Sequence, residues 1–243
     1  MAKLLRRYRV IALLGIIVTY VVVCVFTGGE PLTVNVSAVP NDDGCVDYPT
    51  VVIDAGHGGA DGGCVSIDGV PEKGINLTIA LEVGDILSSM GYDVVYTRDS
   101  DVSLHDRDIK GLSNQKKSDM QKRLDIINSY DNAVAVSIHQ NQFTQNQYSG
   151  AQMFCTQSNP NSLEFAELMQ RNFVSLIQPN NNREVKVVGD ELFLIYFAQC
   201  PSVMIECGFL SNPDESRMLQ DSKYQKQVAF TIATGIMQYV SQK

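Results

Sequence analysis

The chain has 243 residues, enough for one good-sized domain plus an appendage, and its 44% hydrophobic and 19% charged content excludes wholesale disorder. The net charge of −8 includes Lys3, Arg6, Arg7 and Arg9, the only charges among the first nine residues, so the body behind them is more acidic still. An acidic body excludes nucleic acid as the expected partner, because phosphate recognition needs clustered Lys and Arg; the negative charge is read as serving solubility.

Val10 to Phe26 is an uncharged, mostly apolar run of 17 residues behind the basic cluster. It lies at the short end for a membrane span and beyond the usual signal-peptide core. Basic residues before it place the amino terminus in the cytoplasm and the remainder outside. Small residues at Thr27-Gly28-Gly29 and Val36-Ser37-Ala38 offer cleavage points, but the reading adopted is an uncleaved membrane anchor over residues 1–27. Residues 28–48, rich in Pro, Gly, Asn and Asp, form a linker, and 49–243 one folded domain.

Pro49 to Asp54 is the first expected strand, breaking into the glycine-dense loop Ala55-Gly56-His57-Gly58-Gly59. No Gly-Lys-Ser/Thr follows and no GxGxxG spacing is present, which argues against a phosphate cradle. A helix is expected from Ile75 to Met90, ended by Gly91, and a strand from Tyr92 to Thr97. Arg98 to Lys117 is polar and reads as an irregular cleft rim in which His105 is a solvated loop residue. A helix over Asp119 to Tyr130 then leads into the apolar strand Ala133 to Ile138, which ends at His139. Gly150 to Cys155 reads as a strand, Leu163 to Ile177 as a helix and Pro179 to Arg183 as a turn. Leu192 to Tyr196 looks strand-like, Ser202 to Glu206 is a buried strand, and Asp221 to Tyr239 is a closing amphipathic helix. Strands alternating with helices, several apolar on both faces, predict a single α/β domain with a mostly parallel, twisted central sheet flanked by helices.

The most buried-looking strands lead into His57, His139 and Glu206, and Glu72 stands immediately before a helix. Two histidines and a glutamate on the carboxyl edge of a sheet make a three-ligand catalytic zinc set with a fourth position for water. Calcium or magnesium would call for oxygen-dominated ligation, and no HExxH spacing is present. Each residue also has a plainer reading: Glu72 as a helix-start acid, His139 as a hydrogen-bonded histidine at a strand end. Glu206 is harder to explain that way, because an ionised carboxylate within Met204-Ile205-Glu206-Cys207 is expensive to bury without a cation or a polarised water beside it. Together the four residues favour a metal hydrolase.

The segments VVIDAGHGGADGG, PEKGINL, SIHQN and MIECGFLSNPDE, in that order, resemble the zinc-dependent N-acetylmuramoyl-L-alanine amidases, over roughly Tyr48 to Gln238. The resemblance implies one Zn2+ per chain held by His57, Glu72 and His139, with Glu206 as the catalytic glutamate. It implies a substrate of peptidoglycan glycan strands with stem peptides, cleaved between N-acetylmuramic acid and L-alanine. The single domain without wall-binding repeats and the segment SIHQNQFTQNQYSGAQMF resemble the germination-specific branch, which acts on spore cortex and serves muramic-δ-lactam formation. Two departures stand out: Tyr196 where many members carry an Arg, and Gln140 after His139. Asn141 and Tyr196 are the candidate substrate contacts. An activating protein partner is expected, with Gln140 to Tyr148 and Asn180 to Asn182 as candidate contacts. The competing readings are a zinc carboxypeptidase or aminopeptidase acting on wall peptides, and a catalytically silent peptidoglycan-binding protein. Five cysteines lie in the expected exported part, an odd number without CxxC spacing; Cys155 and Cys207 read as small core hydrophobes.

Overall fold

The computed structural model describes residues 48–243. The expected anchor and linker, up to Asp47, lie outside the described residues. Among the described residues, no helix is long and apolar enough to cross a membrane.

Six strands form one sheet in the order β2-β1-β3-β6-β4-β5: β1 Thr50–Ala55, β2 Val94–Tyr96, β3 Ala133–Asn141, β4 Gln152–Thr156, β5 Lys186–Val188 and β6 Ser202–Phe209. The β1–β2, β1–β3, β3–β6 and β4–β5 pairs are parallel, and β4 runs antiparallel to β6. The helices are α1 Glu72–Ser89, α2 Leu112–Ile127, α3 Asn161–Leu176, α4 Phe193–Phe197, α5 Pro213–Gln220 and α6 Ser222–Val240.

Side chains alternate across a strand, so each strand feeds two cores. Val51, Ile53, Val134, Val136, Ile138, Val203 and Ile205 join the larger core with residues of α1, α3 and α6. Val52, Ala133 and Ala135 join a smaller core with Leu124 and Ile127 of α2 and Leu194 of α4. Burial on both faces explains why these strands read as continuous apolar runs.

On the α2 face, the position after Val52 carries Asp54, which is fully buried. Its Oδ1 accepts from Arg123 Nη1 at 2.7 Å and Thr97 Oγ1 at 2.6 Å, and its Oδ2 from Ser137 Oγ at 2.6 Å. Arg123 also donates to Asp119 Oδ2, at 2.6 Å, and to the carbonyls of Ala55 and His57 at 2.8 and 2.7 Å. A buried charge pair persists only where hydrogen bonds replace the lost water, as they do here.

Three expectations are corrected. Leu192 to Tyr196 is not strand-like: Tyr196 N donates to Leu192 O at 3.0 Å and Ala198 N to Leu194 O at 3.0 Å, a helical turn that tertiary packing imposes on a β-prone composition. The expected irregular rim ends at Gly111, and α2 begins seven residues before the expected Asp119, its first turns too polar to show a helical stripe. The expected closing helix is present as α6, and a separate short helix, α5, precedes it, its N-cap Asn212 accepting from Asp214 N and Glu215 N. His105 is half-buried rather than solvated, with Nδ1 2.8 Å from Ser103 Oγ.

Burial pushes the Asp54 carboxyl up, but Arg123, Ser137 and Thr97 outweigh it and hold it at about 2. A carboxylate depressed in the fold contributes stability that is present above its unfolded value and lost as pH falls through the folded one. Asp54 is therefore expected to contribute roughly 2 kcal/mol at neutral pH. Denaturant midpoints of the unaltered chain and Asp54→Asn should differ most above pH 5 and converge as pH falls from 4 toward 2. A gap independent of pH would contradict this.

Candidate metal centre and active site

The carboxyl ends of β1, β3 and β6 lie side by side, and past the cover of α2 the sheet face opens into the site. After Ala55 the chain enters the glycine loop, and three of its carbonyls are held by two arginines. Arg123 takes Ala55 O and His57 O, while Arg98 donates to Ala55 O and Gly56 O, each at 2.9 Å. Under that restraint His57 takes the left-handed conformation, φ 64°, which a non-glycine residue adopts only when its surroundings impose it. Its Nδ1 lies 3.0 Å from Asp61 Oδ2, leaving Nε2 3.3 Å from Glu72 Oε2.

Glu72, the first residue of α1, is nearly inaccessible. Its Oε1 accepts from Asn76 Nδ2 at 3.0 Å and Gln140 N at 2.9 Å, and its Oε2 accepts from Cys64 N at 2.9 Å. His139 Nδ1 lies 3.0 Å from Glu72 Oε1, and the two imidazoles meet edge to face with centroids 4.9 Å apart. Burial alone would raise the Glu72 carboxyl, yet its contacts with His139 and His57 hold it far below the usual range. Burial pushes the His139 imidazole down, but the Glu72 carboxylate reverses this and raises it.

Two glycines make the assembly possible. A methyl group on Gly56 would fall inside the His139 imidazole, and one on Gly63, at φ 71°, would overlap Glu72 Oε2 and the His57 ring.

One ligand atom from each of His57, Glu72 and His139 lies within 4.8 Å of the others, an arrangement that can hold a metal ion. Two imidazole nitrogens and one carboxylate suit a borderline divalent ion and leave further coordination positions open. Glu206 stands opposite His139 in the β3–β6 register, and its Oε2 is buried without a hydrogen-bond partner. Burial first, then the Glu72 charge, pushes its carboxyl up to about 7 against the pull of His139 and His57. A carboxyl so tuned exchanges a proton readily near neutral pH.

Of the candidate substrate contacts, Asn141 ends β3 at this same edge, its carbonyl accepting from Leu210 N at 2.8 Å. Tyr196 does not join the site. The carbonyl of its neighbour Ile195 accepts from Ser202 Oγ at the start of β6 and from Thr156 Oγ1 at the end of antiparallel β4. That is the opposite edge of the sheet, four strand positions or about 13 Å from Glu206. Gln140, expected on an exposed partner surface, is buried, its Nε2 donating to Asn76 Oδ1 at 3.1 Å. Arg98, Arg123, Asp119 and Asp61 support the site and were not singled out by sequence; His57–Asp61, at an i to i+4 spacing, was the one pair visible there. Among the described residues Cys64, Cys155, Cys200 and Cys207 form no disulfide with one another, and the last three are buried.

A largely parallel α/β sheet with a His–Glu–His cluster at its carboxyl edge and an unpartnered carboxylate alongside defines a metallohydrolase scaffold. The chain belongs to the N-acetylmuramoyl-L-alanine amidase family, whose model matches residues 51–238, and its activity is that of an N-acetylmuramoyl-L-alanine amidase. It is 34% identical over 193 residues to the germination-specific N-acetylmuramoyl-L-alanine amidase of Bacillus subtilis, covering 79% of this chain and 80% of the relative. Among solved structures it resembles the CwlD amidase from Clostridioides difficile in complex with the GerS lipoprotein, with 38% identity and a TM-score of 0.77, covering 80% of this chain and all of that one. The catalytic domain of the amidase CwlV from Bacillus (Paenibacillus) polymyxa is 30% identical with a TM-score of 0.67, covering 80% of this chain and 99% of that one.

Gly56→Ala should displace His139 and sharply reduce the metal retained by the purified protein, measured as metal per chain. Full retention would show that His139 can rearrange without leaving the cluster.

Proposed function

We propose that this chain is a zinc-dependent amidase that cleaves the bond between N-acetylmuramic acid and L-alanine in spore cortex peptidoglycan, serving muramic-δ-lactam formation and germination. The observation that carries the mechanism is the buried, unpartnered Glu206 oxygen beside the His57–Glu72–His139 cluster. The cortex assignment is supported by likeness to the germination-specific relative of Bacillus subtilis.

His57, Glu72 and His139 are the residues that would hold the ion. Zinc there supplies a Lewis acid that polarises the scissile carbonyl and acidifies the attacking water. Glu206 takes the proton of that water as general base and returns it to the departing amine nitrogen of L-alanine. Amines leave poorly unless protonated, so one carboxyl whose affinity for the proton lies near neutrality can serve both steps. Asp61 holds Nδ1 of His57 and so fixes the ring with Nε2 turned to the cluster. Arg123 and Arg98 hold the loop carbonyls, so the ligand geometry is set before metal or substrate arrives.

The domain over 49–243 carries this chemistry, and residues 1–27 anchor it at the extracytoplasmic face of the membrane. The Clostridioides difficile relative was solved with a lipoprotein, which supports an activating protein partner for this chain as well. The decisive experiment is zinc content together with product analysis on muropeptides. An amidase frees intact stem peptide with an amino-terminal alanine, whereas trimmed peptides would indicate a carboxypeptidase or aminopeptidase.

Glu206→Gln should keep one zinc per chain and lose at least a hundredfold in peptide release, in keeping with loss of a general base. Unimpaired release would remove Glu206 from the mechanism. His139→Ala should lose both zinc and activity; stoichiometric zinc in that variant would remove it from the ligand set.

A further inference from the structure

We infer that Arg183 is a specificity-determining residue that receives a free carboxylate of the stem peptide beside Glu206. The inference rests on Glu206 and the adjoining cluster being the place of hydrolysis. The strand register carries it. His139 pairs with Glu206, and Glu206 pairs with Gln152 of β4, so three side chains form a row on one face of the sheet. Gln152 lies two strand spacings, about 10 Å, from His139 along that row. Its Oε1 accepts from Arg183 Nη1 at 3.0 Å, which sets the guanidinium at the end of the row.

The guanidinium is held on three sides. Arg183 Nε donates to Ser149 O at 2.7 Å, and its central carbon stands 4.4 Å from the Phe209 ring centroid and 5.8 Å from that of Tyr148. Tyr148 is itself braced edge to face by Phe143 at 5.1 Å. Nη2 makes no hydrogen bond among the described residues, and the side chain is only half-buried. The nearby Glu215 carboxylate does not occupy it, because its oxygens accept from Gly150 N and Phe209 N, each at 2.8 Å. A stacked, pre-oriented guanidinium with an unused donor favours a carboxylate and loses little freedom on binding it.

The substrate supplies that group. Stem peptides carry free carboxylates beyond the first alanine, and an extended peptide advances about 3.5 Å per residue. A carboxylate one or two residues past the scissile amide therefore lies within reach of Arg183 when the amide is at Glu206. The acidic surface of the chain would otherwise repel such a ligand, which gives a local cation at this point a specific use.

The test assays the zinc-loaded full chain on two soluble muramoyl peptides that differ only in whether the stem carboxylates are free or capped as primary amides. Capping should raise KM for the unaltered chain roughly ten- to a hundredfold, the range of a hydrogen bond to a charged group. Arg183→Gln should raise KM by a similar factor on the free peptide and leave the capped one unchanged, erasing the preference. Arg183→Lys, which keeps the charge without the fork, should retain part of it. Equal KM values for the two peptides with the unaltered chain overturn the inference, as does a preference that survives in Arg183→Gln. Equal loss on both peptides in Arg183→Gln, with zinc content and thermal midpoint tracked, assigns Arg183 to holding the loop at Ser149 and overturns it also. Release of trimmed rather than intact stem peptide by the unaltered chain fails the zinc-amidase reading, and this inference with it.

Discussion

The site depends on the buried pairing of Asp54 with Arg123. Asp54 is the last side chain of β1 on the α2 face that is covered, and its partner reaches past it to the carbonyls of Ala55 and His57. One guanidinium thus ties strand, helix α2 and glycine loop together at the point where the backbone turns left-handed at His57. Removing either partner would leave a buried charge, so the pair resists piecemeal change even though a buried ion pair by itself is weak grounds for stability. Asp119 extends the restraint into the segment after β2, because its Oδ1 accepts from Leu104 N and Ser103 Oγ at 2.6 and 2.9 Å while its Oδ2 holds Arg123.

The two glutamates of the site show how placement separates roles for one residue type. Glu72 accepts three hydrogen bonds from protein N–H groups and faces both imidazoles, which stabilise its charge and suit it to a fixed ligand. Glu206 sits one strand away from His139, half-buried, with its Oε2 shielded from solvent and without a hydrogen-bond partner, which disfavours its charge and suits it to proton transfer. Direct contact with both imidazoles outweighs burial and lowers the Glu72 carboxyl, whereas burial and then the Glu72 charge raise that of Glu206.

His57, His139 and Glu206 were legible because each stands at or just past the end of an apolar strand run, and Glu72 because it opens the patterned helix α1. Val51 to Ile53, Ala133 to Ile138 and Val203 to Ile205 are buried on both faces, so their apolar runs mark the sheet centre and its edge. The supporting residues were not legible, since Arg98, Asp119 and Arg123 lie in a polar stretch whose partners are distant in sequence. Arg123 and Asp54 are 69 positions apart. Helix α5 had a local signature, Asn212 before Pro213, but its eight residues are too short and polar to show periodicity. Strand β5 is an exposed, three-residue edge with no apolar run to betray it. Tyr196 misled for a different reason: position in a family pattern says nothing about which edge of the sheet a residue occupies.

The edge also explains why the strand order matters for function. β4 runs against β6, so its first residues, and the loop before them, rise at the same carboxyl edge where β1, β3 and β6 end. A fully parallel sheet would have put the start of β4 at the other edge, with Tyr148, Ser149 and Gln152 remote from Glu206. The reversal sets Tyr148 and Gln152 on the flank of Glu206 and leaves the return through α3 to deliver Arg183 to it. His57 and His139 stand at the ends of the parallel strands and Glu72 at the start of α1, whereas Tyr148, Ser149 and Gln152 belong to the antiparallel join. The His57–Glu72–His139 cluster and the aromatic flank beside Arg183 are thus built by different parts of one fold, meeting at Glu206.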